Sequence, residues 1–303
     1  MTRPGLLIII AGSTAVGKTK LSIDIAKKFH TEIISSDSRQ FYKELKIGSA
    51  PPSLSELKEV THHFIGHLSI YDYYNVSKYE NDAIDKLDSL FKKYDMVVMS
   101  GGSGLYMNSV INGIDDLPDP DASTRDYLKN LHATEGIHSL RAMLENLDPD
   151  FYKQVDMKNP ARLIRALEVC MTTGMKYSYL RKKKKKKRNF NYLFIGLNRE
   201  RNGLIEIINK RTDSMILHGL VEEAIELFPF RHLNALNTVG YNELFEYIEG
   251  KVTLEQAIGN IKINTRKYAK RQLTWFRKNK EIRWFHPDDK EKIITYIMQT
   301  TID

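Results

Sequence analysis

The segment from Leu6 to Phe29 constrains this chain more than any other. Leu6 to Ile10 (LLIII) is a short apolar run, rich in β-branched residues, of the kind that forms a buried parallel strand. It leads directly into Gly12-Ser13-Thr14-Ala15-Val16-Gly17-Lys18-Thr19. Leu21, Ile23, Ile25, Ala26 and Phe29 follow, spaced among polar residues as on an amphipathic helix. Strand, glycine-rich loop and helix in this order are the context that the pattern G-x-x-x-x-G-K-[ST] requires. Gly12 and Gly17 let the backbone turn around an anion with its N–H groups pointing inward, at the positive end of the helix dipole. Lys18 would reach the terminal phosphates, and the Thr19 hydroxyl would ligate Mg²⁺. The loop specifies a diphosphate or polyphosphate site without saying which.

Two further strand ends complete the expected crevice. Glu32 to Ser35 is a second strand, followed by Ser36-Asp37-Ser38-Arg39-Gln40. In a doubly wound sheet the carboxyl ends of the strands line the ligand crevice, so Asp37 is expected to face the phosphate site. Capping of a following helix is the competing role for Asp37 and Ser38. A third strand, Asp95 to Ser100, enters Gly101-Gly102-Ser103-Gly104-Leu105-Tyr106. Its last residue is Ser100, where a Walker-B motif would hold an acid near Mg²⁺. That substitution favours a transferase over an ATP-hydrolysing motor. The glycines imply close backbone approach to a ligand, with the Ser103 hydroxyl beside it.

After Gly113 the texture changes. Asp115 to Asp121 is an acidic, turn-rich linker, and the stretch to about Gly174 reads as helical. Its last helix is punctuated by Asn159 as N-cap, Pro160 at the first helical position and Gly174 past the end. Leu163, Ala166, Leu167, Cys170 and Met171 make its expected buried face. Arg162 and Arg165 near its start oppose the helix dipole, which makes an anionic partner plausible. The chain carries 46 Lys+Arg against 38 Asp+Glu, a net charge of +8, yet Arg181 to Arg188 are eight consecutive basic residues. Without them the net charge is zero, so the basic balance describes one loop, expected to be solvated. The single cysteine, Cys170, excludes an internal disulfide and a Cys-based zinc site. No apolar run reaches the roughly 18 residues of a membrane helix, and the expectation is a cytoplasmic protein acting as a monomer.

Tyr192 to Leu197 reads as a strand returning to the main sheet. Thr253 and Gln256 form a capping-box pattern opening a long helix that carries Arg266, Lys267, Lys270, Arg271, Arg277 and Lys278. Tyr268, Trp275 and Phe276 interleave with these, a pattern suited to phosphate contacts and base stacking; Trp275 and Phe276 are expected to face the core. The adjacent His62 and His63 point to different faces in most conformations and are expected to be structural.

Taken together, GSTAVGKT (residues 12–19), ISSDSRQFYKELKIGSAPP (34–52), the histidine pair, GGSGLY (101–106), LPDPDASTR (117–125), NPARLIRALEV (159–169), MILHGLVEEA (215–224), TVGYNEL (238–244) and TRKYAKRQLTWFRK (265–278) resemble the tRNA dimethylallyltransferases, also called tRNA isopentenyltransferases. The resemblance covers nearly the whole chain and is of the bacterial type. It implies a P-loop NTPase-like parallel sheet flanked by helices, formed by residues 1–113 and 189–303. Residues 114–188 would be an inserted all-helical subdomain that clasps the anticodon stem-loop of tRNA. It also implies transfer of a dimethylallyl group from dimethylallyl diphosphate to N6 of the adenosine 3′ of the anticodon, with Mg²⁺ as cofactor.

The same resemblance assigns residues. Asp37 and Ser103 become catalytic, and residues 12–19 bind the diphosphate, with Thr19 on the metal. Ser38, Arg39, Gln40, Ser103, Arg125, Ala161, Arg162, Leu163, Ile164 and Arg165 contact tRNA. Ser103 stands where most relatives carry Thr, and Ile207 where they often carry Arg. A P-loop small-molecule kinase is the alternative, but it leaves the helical insertion and basic tail without a role.

Overall fold

The apolar N-terminal run becomes β1 (Gly5–Gly12), with Leu7 through Ala11 wholly removed from solvent. It is buried because it is central: β4 (Met96–Gly101) and β5 (Phe190–Leu197) pair with it on its two sides, both parallel. β2 (Ile33–Ser35), β3 (His62–His63) and β6 (Arg283–Phe285) complete a six-stranded parallel sheet in the order β3-β2-β4-β1-β5-β6. The computed structural model describes residues 4–119, 121–182 and 184–302. Pro120 of the acidic linker and Lys183 of the basic run lie outside the described residues.

A parallel sheet has both faces covered, and β1 shows how. Leu7, Ile9 and Ala11 join one apolar cluster, Ile8 and Ile10 the other, because successive side chains of a strand point to opposite faces. Each fully buried Leu or Ile among them contributes about 1.5–3 kcal/mol. One face is covered mainly by α1 (Lys18–Lys28), the C-terminal helix α14 (Lys290–Ile302) and part of α10 (Arg201–Leu217). Over the other lie α3 (Val76–Leu90), α4 (Gly104–Asn112), α11 (Leu220–Leu227), α12 (Tyr241–Ile248) and the 23-residue α13 (Leu254–Phe276). The short α2 (Leu54–Glu59) is opened by a capping box on Ser53 and Glu56. α13 is opened by the Thr253–Gln256 capping box expected from sequence.

The chain divides into two compact units, residues 1–111 with 187–303, and residues 112–186. The inner unit thus begins and ends two positions before the boundaries read from sequence. It is built from α5 (Ala122–Glu135), α6 (Ile137–Leu147), α7 (Pro149–Tyr152), α8 (Pro160–Thr173) and α9 (Tyr177–Leu180). Leu128, Leu140, Leu144, Phe151, Leu163, Ala166 and Leu167 form its core. The Asn159 side chain caps α8 by accepting the Arg162 N–H, and Gly174 ends it at φ 67°. Met171 does not join the buried face; it is half-exposed, because position 171 has turned away from the stripe that buries Leu167 and Cys170. The basic run is not wholly solvated either. Arg181 lies over the Phe151 and Tyr177 rings, and Arg188, in the larger unit, forms a buried ion pair with Glu80 at 2.7 Å.

Candidate active site

The loop between β1 and α1 folds back on itself. Gly12 is required there because a Cβ would fall 2.9 Å from the Leu197 carbonyl oxygen. Gly17 caps α1 at φ 109°, and even Ala15 takes a left-handed conformation at φ 63°. Holding a non-glycine residue there costs about 1–3 kcal/mol, a cost that persists only where the surroundings enforce it. Ser13 is fully buried with no hydrogen-bond partner for its hydroxyl among the described residues, while its carbonyl accepts the Lys18 ammonium at 2.8 Å. Thr14, Gly17, Lys18 and Thr19 line a cleft of about 320 Å³.

Opposite the loop stands Asp37, just past the end of β2. No helix follows it, so the capping role is overturned. Asp37 instead closes a local turn in which its Oδ1 accepts the Arg39 N–H at 3.1 Å. Asp37 lines the P-loop cleft and also a second cavity of about 90 Å³ with Arg39, Val239, Gly240 and Tyr268 in its wall. Thr14, Ser49 and Arg211 line both as well, so these four residues mark where the cavities meet. Across the turn, the Ser103 hydroxyl accepts the Ser38 N–H at 3.1 Å and donates to the Ser38 hydroxyl at 3.3 Å.

The electrostatics follow from this crowding. Burial pushes the Lys18 ammonium down to about 8; nearby Asp37 works against that shift and nearby Arg211 adds to it. Burial also lowers Arg211, again opposed by Asp37. Tyr268 is pushed up to about 12 by burial first and by the Asp37 charge second. Arg211 hydrogen-bonds the Thr14 hydroxyl at 3.3 Å. Lys18, Arg211 and Asp37 thus form one cluster with an excess of positive charge, suited to an anion.

Arg211 and Gln272 are residues that sequence reasoning missed. Arg211 lies on α10, remote in sequence from the P-loop; its one available signal was the spacing from Ile207, which lines the cleft one helical turn away. Other expected residues have intramolecular work. Arg39 donates to the carbonyls of Asn234, Ala235 and Asn237, and Gln40 bonds Ser35 and Ala50. In the helical unit, Arg125 and Arg165 both pair with buried Glu168, while Ala161 and Arg162 are exposed, Ile164 is partly buried and Leu163 sits in the core. Trp275, expected in the core, is 45% exposed with its indole laid against Gly104, whereas Phe276 is buried. His62 and His63 form β3: His63 meets Glu32 at 2.5 Å, and His62 bonds the Val60 carbonyl and faces the cleft.

A parallel sheet with a P-loop after β1, and a carboxylate just past the end of β2 in the same cleft, define a P-loop NTPase-like enzyme. Residues 40–279 match the family model described as IPP transferase, and the chain belongs to that family. It is 52% identical over 297 residues to the tRNA dimethylallyltransferase of Christiangramia forsetii, covering 98% of each chain. It is 48% identical over 294 residues to tRNA dimethylallyltransferase 1 of Phocaeicola vulgatus, covering 97% of this chain and 98% of that one. Among solved structures it resembles the full-length tRNA isopentenylpyrophosphate transferase of Bacillus halodurans at 34% identity and TM-score 0.71, covering 97% and 95% of the two chains. It also resembles a eukaryotic dimethylallyltransferase acting on tRNA at 26% identity and TM-score 0.78, covering 98% of this chain and 78% of the other.

Proposed function

We propose that the protein transfers the dimethylallyl group of dimethylallyl diphosphate to tRNA, at N6 of the adenosine immediately 3′ of the anticodon, releasing diphosphate. The family and its relatives support prenyl transfer to tRNA. The single observation that carries the chemistry is the meeting of two cavities at Asp37 and Arg211, one of them built on the P-loop. The diphosphate lies in the P-loop cleft and the acceptor base enters through the second cavity, flipped out of its stack as base-modifying enzymes require.

The reaction exchanges one bond for another. The C1–O bond of the allylic diphosphate breaks, its electron pair leaves on the bridging oxygen, and a C1–N6 bond forms. Lys18, Arg211 and the loop amides stabilise the charge that develops on the leaving group. Adenine N6 is a poor nucleophile; Asp37 orients its N–H and takes the proton as the new bond forms. Ser103 holds the acceptor side, and Ser38 with it. The Thr19, Ser35 and Ser100 hydroxyls bring oxygen donors to the cleft, of the kind that suits Mg²⁺. Thr19 would hold that ion, which supplies charge neutralisation to the diphosphate. Residues 112–186 grip the anticodon stem-loop, and the protein works as a monomer in the cytoplasm. Among the described residues no helix is long and apolar enough to cross a membrane.

The test is to incubate the protein with Mg²⁺, dimethylallyl diphosphate and unmodified tRNA, digest the RNA and weigh its nucleosides. Adenosine heavier by one dimethylallyl group is the expected product. Phosphate transfer from ATP to a small acceptor, with no modified nucleoside, would replace this reading with a kinase.

A further inference from the structure

The buried amide of Gln272 does something the reaction as described leaves unused. Gln272 lies on α13 and is only 6% exposed. Its Oε1 accepts the Thr14 N–H of the P-loop at 2.8 Å, and its Nε2 donates to the Gly102 carbonyl at 2.9 Å. The two partners lie 258 and 170 residues away in sequence, on separate loops. A Cβ on Gly102 would fall 2.3 Å from that Nε2 and 3.6 Å from Asp37 Oδ2, so the turn approaches both groups closely. The next residue is Ser103, bonded to Ser38. On the other side, Thr14 is bonded to Arg211.

We propose that Gln272 is a positioning residue: one carboxamide that fixes the diphosphate-binding loop against the Gly102–Ser103 acceptor turn, and so sets the separation of the two substrates. The proposal rests on the prenyl-transfer reading. A carboxamide carries both required groups on one planar head: a carboxylate lacks the donor, Lys and Arg lack the acceptor, Leu lacks both, and Met offers only a weak acceptor. The bond also removes the Thr14 N–H from the set that can face a phosphate. The diphosphate is therefore cradled by later loop amides, while Thr14 acts as the fixed end of the loop. Reacting atoms held by separate loops lose about 100-fold in rate for a misplacement near 1 Å, with binding much less affected.

Two measurements test this. In the wild-type protein without substrates, the Thr14 amide should exchange its hydrogen slowly, and adding inorganic diphosphate should slow the amides of residues 15–19 but leave Thr14 unchanged. Rapid exchange at Thr14 that slows with diphosphate would overturn the proposal. This readout stands even if the protein proves to transfer no prenyl group, and a wild-type control for modified nucleoside separates the two failures. In single-turnover reactions with saturating dimethylallyl diphosphate and anticodon stem-loop RNA, Gln272→Met, still folded but with a lowered melting temperature, should lower the rate on the order of 100-fold, with RNA Kd within about threefold. Gln272→Glu keeps the bond to Thr14 and loses that to Gly102, so its rate should fall less, with a raised KM for the diphosphate. A folded Gln272→Met variant within threefold of the wild-type rate, or one that loses only RNA affinity, would also overturn it.

Discussion

At the scale of single residues the chemistry turns on two groups that face each other. Lys18 keeps its proton less firmly than a free lysine, because burial disfavours the ammonium more than Asp37 restores it. The folded value of about 8 lies below that of a free lysine, so the substrate-free protein loses this charge as pH rises through 8. Above that point kcat/KM for the diphosphate should fall about tenfold per pH unit, while kcat changes less, because a bound diphosphate restores the ammonium. A pH profile of kcat/KM from 6.5 to 9.5 checks this, and a flat line would remove Lys18 from diphosphate binding. Asp37 acts on the other substrate. Asp37→Ala should lower kcat by about 10²–10⁴-fold, the range for a lost general base, with tRNA affinity nearly unchanged. Near-normal turnover in a nucleoside assay would refute the base. Lys18 could be recognised in sequence because the P-loop motif is local. The role of Arg211 could not, because it exists only once α10 folds against the loop.

Elements show the same division between local and long-range information. β1 was legible because the continuous apolar run Leu6 to Ile10 serves a strand buried on both faces. α8 and α13 were legible at their starts because Asn159 and Thr253 cap through short-range bonds. β3 and β6, of two and three residues, carry no period of their own and exist through pairing with β2 and β5. The buried polar network of the helical unit was illegible for a related reason: Glu168 looks like any surface glutamate on a helix. It is instead 1% exposed and lies between Arg125 and Arg165, which also donates to the Pro118 carbonyl. Arg125 therefore ties α5 to α8 through Glu168, while Arg165, on α8 itself, ties that helix to the Pro118 carbonyl. Both are about a third exposed, so water screens them and the worth of the pair is modest. Glu168→Gln should destabilise the helical unit by about 1–2 kcal/mol, seen as faster hydrogen exchange in α5 and α8 with the sheet unaffected. Equal exchange in both proteins would leave the ion pairs without structural weight.

For the whole molecule, charge is the property that neither residue nor element contains. The net charge of +8 falls to +2 if Lys182 to Lys187 are made neutral, since six of the eight excess charges sit in that run. Lys184 to Lys187 are exposed, whereas Arg188 at the end of the run is already committed to Glu80. A partner of high negative charge, such as the tRNA proposed here, would feel the run as a local source of attraction that speeds encounter. Replacing the six lysines by serines preserves the length of the connection between α9 and β5, so the effect can be read as charge alone. Each phosphate neutralised by the protein contributes about −0.7 to −0.9 to the slope of log K against log[salt]. If the run engages two or three phosphates, the variant should bind tRNA with a slope shallower by about 1.5–2.5, and its association rate should lose part of its salt dependence. The rate at saturating substrate should stay at the wild-type value, because none of the described lysines of the run lines the P-loop cleft. An unchanged slope would assign tRNA attraction to the basic face of α13, where Lys267, Lys270 and Arg271 lie on the same helix as Gln272.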